Sequence, residues 1–558
     1  MMFFIGLTLM FFMGLISLAQ AQTSANPSGV DERLRPRSSV PELKAPFDLP
    51  ALQEEGPSKG SDSQKFEING VLFEGSEVLP DSQLQEIARP YIDRQITLSD
   101  VYDLATSVTA LYRNAGYILT QAIVPAQKIS DGVLRLRIVE GFIEKVSIEG
   151  DVGGALRFLQ EQAQRIVDSR PLTVEVLERE LLIAGDLAGL TVRSVLTPSK
   201  TTLGATDLTL VVEEDTFEGY AAIDNYGSRY LGREEIVAAG FGNDLFGLAG
   251  QAGVTAVVTP NEGPELAYGA LSYEVPLTSS GLSLFTSYSY SRTRPGLELA
   301  DLDTKGMAQA VRLELSYPFT RSRDLNLIGT LGLYGANISS ENSVIQPVFY
   351  DKVRNMFARI YVNGLDSLGA SNTARFTFYQ SLPFLGSFDN NDTDLSRTNV
   401  DNDYRSFNFE LSRWQPLGGN FALLMGAAGQ TSFNDDLLAS EEWGIGGSFY
   451  GRAFDPSEIS GDKGIAAMAE LQWNSPYQPS WSSNTQLYSF FETGAVSQVT
   501  VLPGEQKTEK LMSFGIGVRT VIQDRVNVDL FVAKPYKREV VAEGSRSPRL
   551  FFSVSTSF

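Results

Sequence analysis

The chain must manage its chemistry without imidazole or thiolate, because its 558 residues include no histidine and no cysteine. That excludes Ser-His-Asp and Cys-His nucleophilic sites and zinc sites built from those ligands. Carboxylate and guanidinium groups remain. The 67 acidic residues could supply a glycosidase-type carboxylate pair, which is weak evidence because any acidic surface offers such pairs. The stretch SFYGRAFDPSEISGDKG, Ser448 to Gly464, is more particular. It sets Arg452 among aromatics, glycines and acids, as if the arginine were buried. A guanidinium stays charged and presents a planar fork that a carboxylate accepts at two points, so such a residue suits positioning.

The elements around that stretch follow from charge and texture. A net charge of -22 repels phosphate backbones, and no concentrated basic patch offsets it, so no nucleic-acid partner is expected. No metal or cofactor is expected either. The N-terminal MMFFIGLTLMFFMGLISLAQAQ is apolar and ends in Ala19-Gln20-Ala21, which reads as a signal peptide over residues 1–21 with Gln22 as the first mature residue. No Lys or Arg precedes Arg33, and a retained membrane anchor is the alternative reading. Elsewhere no run approaches the ~18 apolar residues of a spanning helix, so further membrane contact would come from strands. Pro27, Pro36, Pro41, Pro46, Pro50 and Pro57 mark residues 22–64 as an extended linker, with at most a short plug element and a variable or disordered character.

From Lys65 the pattern is compact α+β. FEINGVLFEG reads as a strand and turn. Leu98, Val101, Tyr102, Ala105, Val108, Leu111 and Tyr112 fall at helical spacing with Gly116 as terminator, and the strands YILTQAIVP and GVLRLRIVEG follow. A second pass runs from FIEKVSIEGD through a helix around Leu177, Leu181 and Leu182 to TVRSVLTPS and DLTLVVEE. Two β-α-α-β-β modules are expected, over 65–141 and 142–214.

Within the first module, Tyr112-Arg113-x-x-Gly116-Tyr117, Pro125-x-Gln127, Asp131-Gly132 and Glu140-Gly141 resemble a POTRA domain of the two-partner secretion type. Arg113, Gly116 and Tyr117 are candidates for client binding, with a purely structural role as the other reading.

Beyond Glu214 the period is two. Leu550, Phe552, Val554, Thr556 and Phe558 alternate with Phe551, Ser553, Ser555 and Ser557, and Met512, Phe514, Ile516 and Val518 alternate with Ser513, Gly515, Gly517 and Arg519. SFNFELS, GLSLFTSYSYS and VNVDLFV repeat the pattern. One face is apolar and the other is mostly Ser, Gly, Asn, Thr, Glu and Arg, which is the texture of a membrane barrel and not of a filled sandwich. At about 21 residues per strand and connection, residues 215–558 accommodate ~16 antiparallel strands. The fold class is therefore α+β plus all-β, two POTRA-like modules followed by a transmembrane barrel.

In that frame Gly451-Arg452-Ala453-Phe454-Asp455 and Gly461-Asp462-Lys463-Gly464 lie in a long connection, residues 431–463, between about the eleventh and twelfth strands. They resemble the sixth-loop signature of outer-membrane transporters that carry POTRA domains. The resemblance implies a loop folded into the barrel whose arginine meets an acid of an F-x-D-x-G wall motif. SFFETGAV matches it with Phe490, Glu492 and Gly494, glutamate replacing aspartate. Such a pair in a water-lined lumen would add little stability, and exchanging the two charges would ask whether they meet.

Together these features resemble the ShlB/FhaC/HecB family of two-partner secretion transporters. The resemblance implies capture of an unfolded exoprotein by its N-terminal secretion domain at the POTRA region, then passage through a pore set in outer-membrane lipid, by a monomeric protein that is not an enzyme. A barrel assembly factor of the same superfamily and a passive porin are the alternatives.

Overall fold

The computed structural model describes residues 27–34, 65–129, 132–260, 263–342, 349–501 and 505–558. The signal-peptide reading and most of the linker fall outside the described residues.

A short helix, α1 (Pro27–Leu34), precedes the first module. That module contains β1 (Lys65–Ile68), β2 (Gly70–Glu74), α2 (Asp81–Ala88), β3 (Arg94–Thr97), α3 (Leu98–Asn114), β4 (Gln121–Ile123) and β5 (Val133–Val139). Its sheet has the order β2-β5-β4, with β2 parallel and β4 antiparallel to β5, while β1 and β3 form a separate pair. The strand expected over YILTQAIVP is confined to Gln121–Ile123, because the backbone turns through Tyr117 to Thr120 first.

Helix α3 starts where it does because Thr97 and Asp100 form a reciprocal capping box. The Thr97 amide donates to Asp100 Oδ2 at 2.7 Å, and the Asp100 amide donates to Thr97 Oγ1 at 3.2 Å. The helix buries Val101, Leu104, Ala105, Val108 and Tyr112 against Leu134, Leu136 and Ile138 of β5. Each fully buried large aliphatic side chain contributes about 1.5–3 kcal/mol. The helix ends at Gly116, whose φ of +92° is open to glycine at little cost.

The second module repeats the order with β6 (Phe142–Glu149), α4 (Leu156–Asp168), α5 (Val174–Ala184), β7 (Leu190–Pro198) and β8 (Ala205–Glu214). Its sheet order is β6-β8-β7. It sits on the barrel's near turns. Arg321 grips Asp186 through Nε and Nη2 at 2.7 and 2.8 Å, and Arg165 donates to the Ser279 carbonyl at 2.7 Å.

The barrel begins with β9 (Phe217–Asp224), β10 (Glu235–Asn243), β11 (Gln251–Val258), β12 (Leu266–Pro276), β13 (Ser283–Thr293), β14 (Lys305–Arg321) and β15 (Leu325–Glu341). It continues with β16 (Phe349–Leu365), β17 (Ser371–Ser381), β18 (Arg405–Gly418) and β19 (Phe421–Thr431). A two-stranded ribbon, β20 (Trp443–Ile445) and β21 (Ile459–Gly461), interrupts the series. The wall resumes with β22 (Lys463–Asn474), β23 (Ser482–Ser497), β24 (Thr508–Ile522), β25 (Val526–Pro535) and β26 (Arg549–Ser557). These sixteen strands close on themselves through β26 and β9, every neighbour antiparallel. Strand β14 shows the inverted polarity of the wall: Val311, Leu313 and Leu315 are exposed on the outside, while Arg312 and Glu314 are buried on the inside. No described helix is long and apolar enough to cross a membrane.

The expectation of a variable or disordered linker is corrected at residues 27–34. Helix α1 lies inside the barrel, where Val30 is buried among Tyr230, Leu231, Leu266, Tyr268 and Leu299. Arg33 clasps Glu235, Nη1 to Oε2 at 2.9 Å and Nη2 to Oε1 at 2.5 Å. The prolines obscured this, because proline is unfavourable inside a helix but is accepted at its first turn, where Pro27 stands.

The capping box predicts a local effect. Thr97→Ala should weaken α3 by about 1 kcal/mol, read as roughly fivefold faster amide exchange over Leu98–Val101 in the intact protein. The backbone hydrogen bond from Thr97, helped by its hydroxyl, holds the Asp100 carboxyl below its ordinary value of 3.8. The cap's contribution is therefore complete above that value and is lost only as pH falls through the lowered one. Protection over this turn, taken relative to the intrinsic exchange rate at each pH, should be unaffected by acidification until that range, and a loss of protection near neutral pH would contradict the assignment.

Candidate functional site in the barrel lumen

The connection between β19 and β22 does not stand out in solvent. It turns inward as a finger, with β20 and β21 as its stem and Gly446 to Glu458 as its tip. Gly451 turns the tip at φ +90°, and a Cβ there would lie 2.9 Å from Leu511 Cδ1. Two further glycines let the stem approach the wall. A Cβ on Gly464 would be 2.4 Å from the Trp443 ring, and one on Gly494 would be 2.7 Å from Ile445 Cδ1. Phe454, Ala453, Ile445 and Ile459 then pack with Phe490, Leu511, Phe531 and Phe551 of the wall in one apolar cluster.

Arg452 occupies the centre. Its Nε donates to Glu492 Oε1 at 2.5 Å and its Nη1 to Glu470 Oε2 at 2.7 Å, so one guanidinium joins two wall carboxylates on neighbouring strands. Glu492 Oε2 also accepts from the amides of Gly451 and Arg452, at 2.9 and 2.7 Å, and from Ser513 Oγ at 2.8 Å. Glu470 is completed by Arg519 at 2.5 Å and Gln472 at 2.9 Å. Arg452 lies over the Phe490 ring, 3.6 Å from its centroid, and Arg519 lies 3.8 Å from that of Tyr488.

Those rings lie flat because the strand opposite has no side chains there. Gly515 pairs with Phe490 and Gly517 with Tyr488, and a Cβ on either would come within 2.4 Å of the ring. The expected water-lined, weakly stabilising pair is corrected accordingly. Arg452 is 6% exposed and the Glu492 side chain 0%. For a pair so buried, removing one partner costs about 3–5 kcal/mol, because the other charge is left without compensation.

The remaining loop residues of the sequence signature are anchors too. Asp462 receives the amides of Leu437 at 2.8 Å and Val499 at 2.7 Å, and Gly461 lies so close to Ser497 that a Cβ would be 2.9 Å from its carbonyl oxygen. Asp455 is held by Arg549 Nη2 at 2.6 Å and by the Arg229 amide at 2.9 Å. Sequence reasoning missed Glu470, Ser513, Arg519 and Arg549. Strand period two would have placed Glu470 on the inner face with Gln472, but alternation does not say which loop residue arrives opposite it.

Arg113, Gly116 and Tyr117 are not brought to the lumen. Tyr117 lies edge-on to Tyr112, 6.1 Å between centroids, and the Gly116 carbonyl accepts from the Val174 amide of the second module at 2.9 Å. Two other motif residues, Glu140 and Gln127, brace the first module. Glu140 accepts from the amides of Glu77 and Val78, and Gln127 exchanges two hydrogen bonds with the Arg135 backbone as a further strand would. Burial pushes the Tyr112 hydroxyl up to about 12, so it stays a neutral partner for Ser76 and Glu140. Among the described residues, no group of three or more acidic side chains is arranged to hold a metal ion.

Arg452→Ala should free the finger, raising protease cleavage within Gly446–Glu458 at least ~10-fold in the reconstituted protein, in keeping with a cost of about 3–5 kcal/mol. Arg452→Lys should resemble it, because one ammonium lacks the fork that reaches both glutamates. Unchanged cleavage in both would mean that other contacts hold the finger. Exchanging the charges, Arg452→Glu with Glu492→Arg, should give no rescue, because the new arginine would face two amide donors and the new glutamate would face Glu470.

Comparison with known proteins places this architecture. A family model described as POTRA domain, ShlB-type, matches residues 66–141, and one described as haemolysin secretion/activation protein ShlB/FhaC/HecB matches residues 204–520. The heme/hemopexin transporter protein HuxB of Haemophilus influenzae (strain 86-028NP) is 22% identical over 543 residues, covering 94% of this chain and 93% of its own. The outer membrane transporter CdiB of Dickeya dadantii is 24% identical over 435 residues, covering 73% and 72%. The solved structure of CdiB from Escherichia coli superposes with a TM-score of 0.71 at 19% identity, over 97% of this chain and 98% of that one. The chain belongs to the ShlB/FhaC/HecB family of haemolysin secretion/activation proteins, outer-membrane β-barrel transporters with their POTRA region in the periplasm.

Proposed function

We propose that this chain captures one unfolded exoprotein client at its periplasmic modules and exports it through the barrel to the cell surface or medium. The observation that carries this reading is the finger pinned by Arg452 inside a sixteen-stranded barrel whose near turns hold a module with an open sheet edge. Strand β7 is the last in its sheet order and offers nine residues of extended backbone, Leu190–Pro198. An extended client can pair with such an edge through main-chain groups with little regard for its side chains.

No nucleotide or cofactor is needed if folding outside biases the direction. The buried lumen acids Glu470, Glu492 and Asp455 are each engaged by arginine, which supports a positioning role over carboxylate catalysis. Helix α1 occupies lumen space a client would need, so it must leave or shift during export.

Arg452→Ala should abolish client release into the medium while the barrel still inserts and shows heat-modifiable mobility on a gel; normal secretion would remove the finger's role. Deleting residues 65–214 should eliminate client binding but retain the inserted barrel. If cells with that deletion instead lose other barrel proteins from their outer membrane, the chain is an assembly factor. Arg33→Ala, which cuts α1 from Glu235, should raise the open-channel fraction in planar bilayers severalfold. An unchanged fraction would mean that α1 does not obstruct the pore.

A further inference from the structure

The barrel closes less completely than its other pairings suggest. Between β15 and β16 the ladder runs from Leu325–Gly364 to Ser340–Phe349, whereas between β26 and β9 it runs only from Ser553–Asp224 to Ser557–Tyr220. At its periplasmic end Phe558 and Gly219 exchange two backbone bonds, at 2.7 and 3.0 Å, so this half is zipped in the ordinary way. One more backbone bond follows Asp224, from the Asn225 amide to the Phe552 carbonyl at 3.2 Å, and after it side chains take over. The Asn225 carboxamide accepts from the Phe552 amide at 2.8 Å and donates to the Leu550 carbonyl at 3.0 Å, in place of a continuing strand. Tyr226 leans on Phe551 and Phe531.

The next tie belongs to neither strand. Asp455, on the inward finger, accepts from the amide of Arg229, just beyond β9, at 2.9 Å and from Arg549, the first residue of β26, at 2.6 Å. Arg549 reaches the finger a second time, at the Ala453 carbonyl, 2.8 Å away. The Arg549 and Asp455 side chains are both buried, at 3% and 1% exposure. Around them Glu543 links Arg233, on the β9 side, to Arg549 on the β26 side.

We propose that Asp455 is the clasp of the closing seam: withdrawing the finger from the lumen releases the extracellular half of the β26–β9 junction while the periplasmic half stays zipped. While the finger is docked, the two oxygens of this one carboxylate join Arg229, in the connection that follows β9, to Arg549 of β26. Clearing the lumen and loosening the wall are then one event. The inference rests on the finger's contacts and not on export, so it can fail or stand independently of the proposed client.

The test is hydrogen exchange on the full-length protein purified in detergent, with heat-modifiable mobility as the check on folding. In Asp455→Ala the amides of Asn225, Arg229 and Phe552 should exchange at least about tenfold faster, while those of Ser553–Ser557 and Tyr220–Asp224 keep their protection. Arg549→Lys retains the charge but cannot serve both Ala453 and Asp455, and should accelerate the same three amides to a smaller extent. This variant decides the matter if the alanine variant does not fold. Unchanged exchange at all three amides in a folded variant would overturn the proposal. Equal acceleration along the whole seam would also overturn it, because that would be general loosening of the barrel.

Discussion

A guanidinium out of contact with water must be met by negative charge, and Arg452 is met twice, by Glu470 and Glu492. Everything around the finger follows from that requirement. Both carboxylates stand on the inner face of adjacent strands, so the finger can dock at one depth and in one orientation. Glu492 also accepts from two of the finger's own amides and from Ser513 of the wall, which fixes the backbone at Gly451 as well as the side chain. A mismatch of one residue in either strand would turn its glutamate toward lipid, where an uncompensated charge is costly.

The wall is adapted to receive the finger. Gly515 and Gly517 contribute nothing to an apolar outer face and would weaken an ordinary strand, yet they let Phe490 and Tyr488 lie flat under two arginines. A dry patch of aromatic rings lowers the local dielectric response compared with water, and so strengthens the ion pairs it shields. A lumen lined with polar groups thus contains one sealed apolar region, and that region carries the attachment.

At the other end the second module is tied to the barrel by Arg321 with Asp186 and by Arg165 with Ser279, so the periplasmic sheet edge is held at the barrel mouth. The first module is braced within itself by Glu140 and Gln127 and contacts the second through Gly116. Glu140, Gln127 and Gly116, all motif residues of the module, thus make contacts that hold it in place.

The order of two α+β modules and an inverted barrel was legible in the sequence, because helical spacing, period two and the polarity of each face are local properties of the chain. Arg452 was legible from its setting among glycines and aromatics, and Glu492 only through the resemblance of SFFETGAV to a wall motif. Glu470, Ser513, Arg519 and Arg549 were not, since pairings across the lumen depend on strand register and on the depth to which a loop descends, neither of which is written in any one segment. Helix α1 was hidden for a related reason: a few residues of helix gain their stability from the wall they pack against, not from their own propensity. Sequence by itself determined which residues face in and which face out; only closure of the barrel decided which of the inward ones meet, because closure brings together strands far apart along the chain.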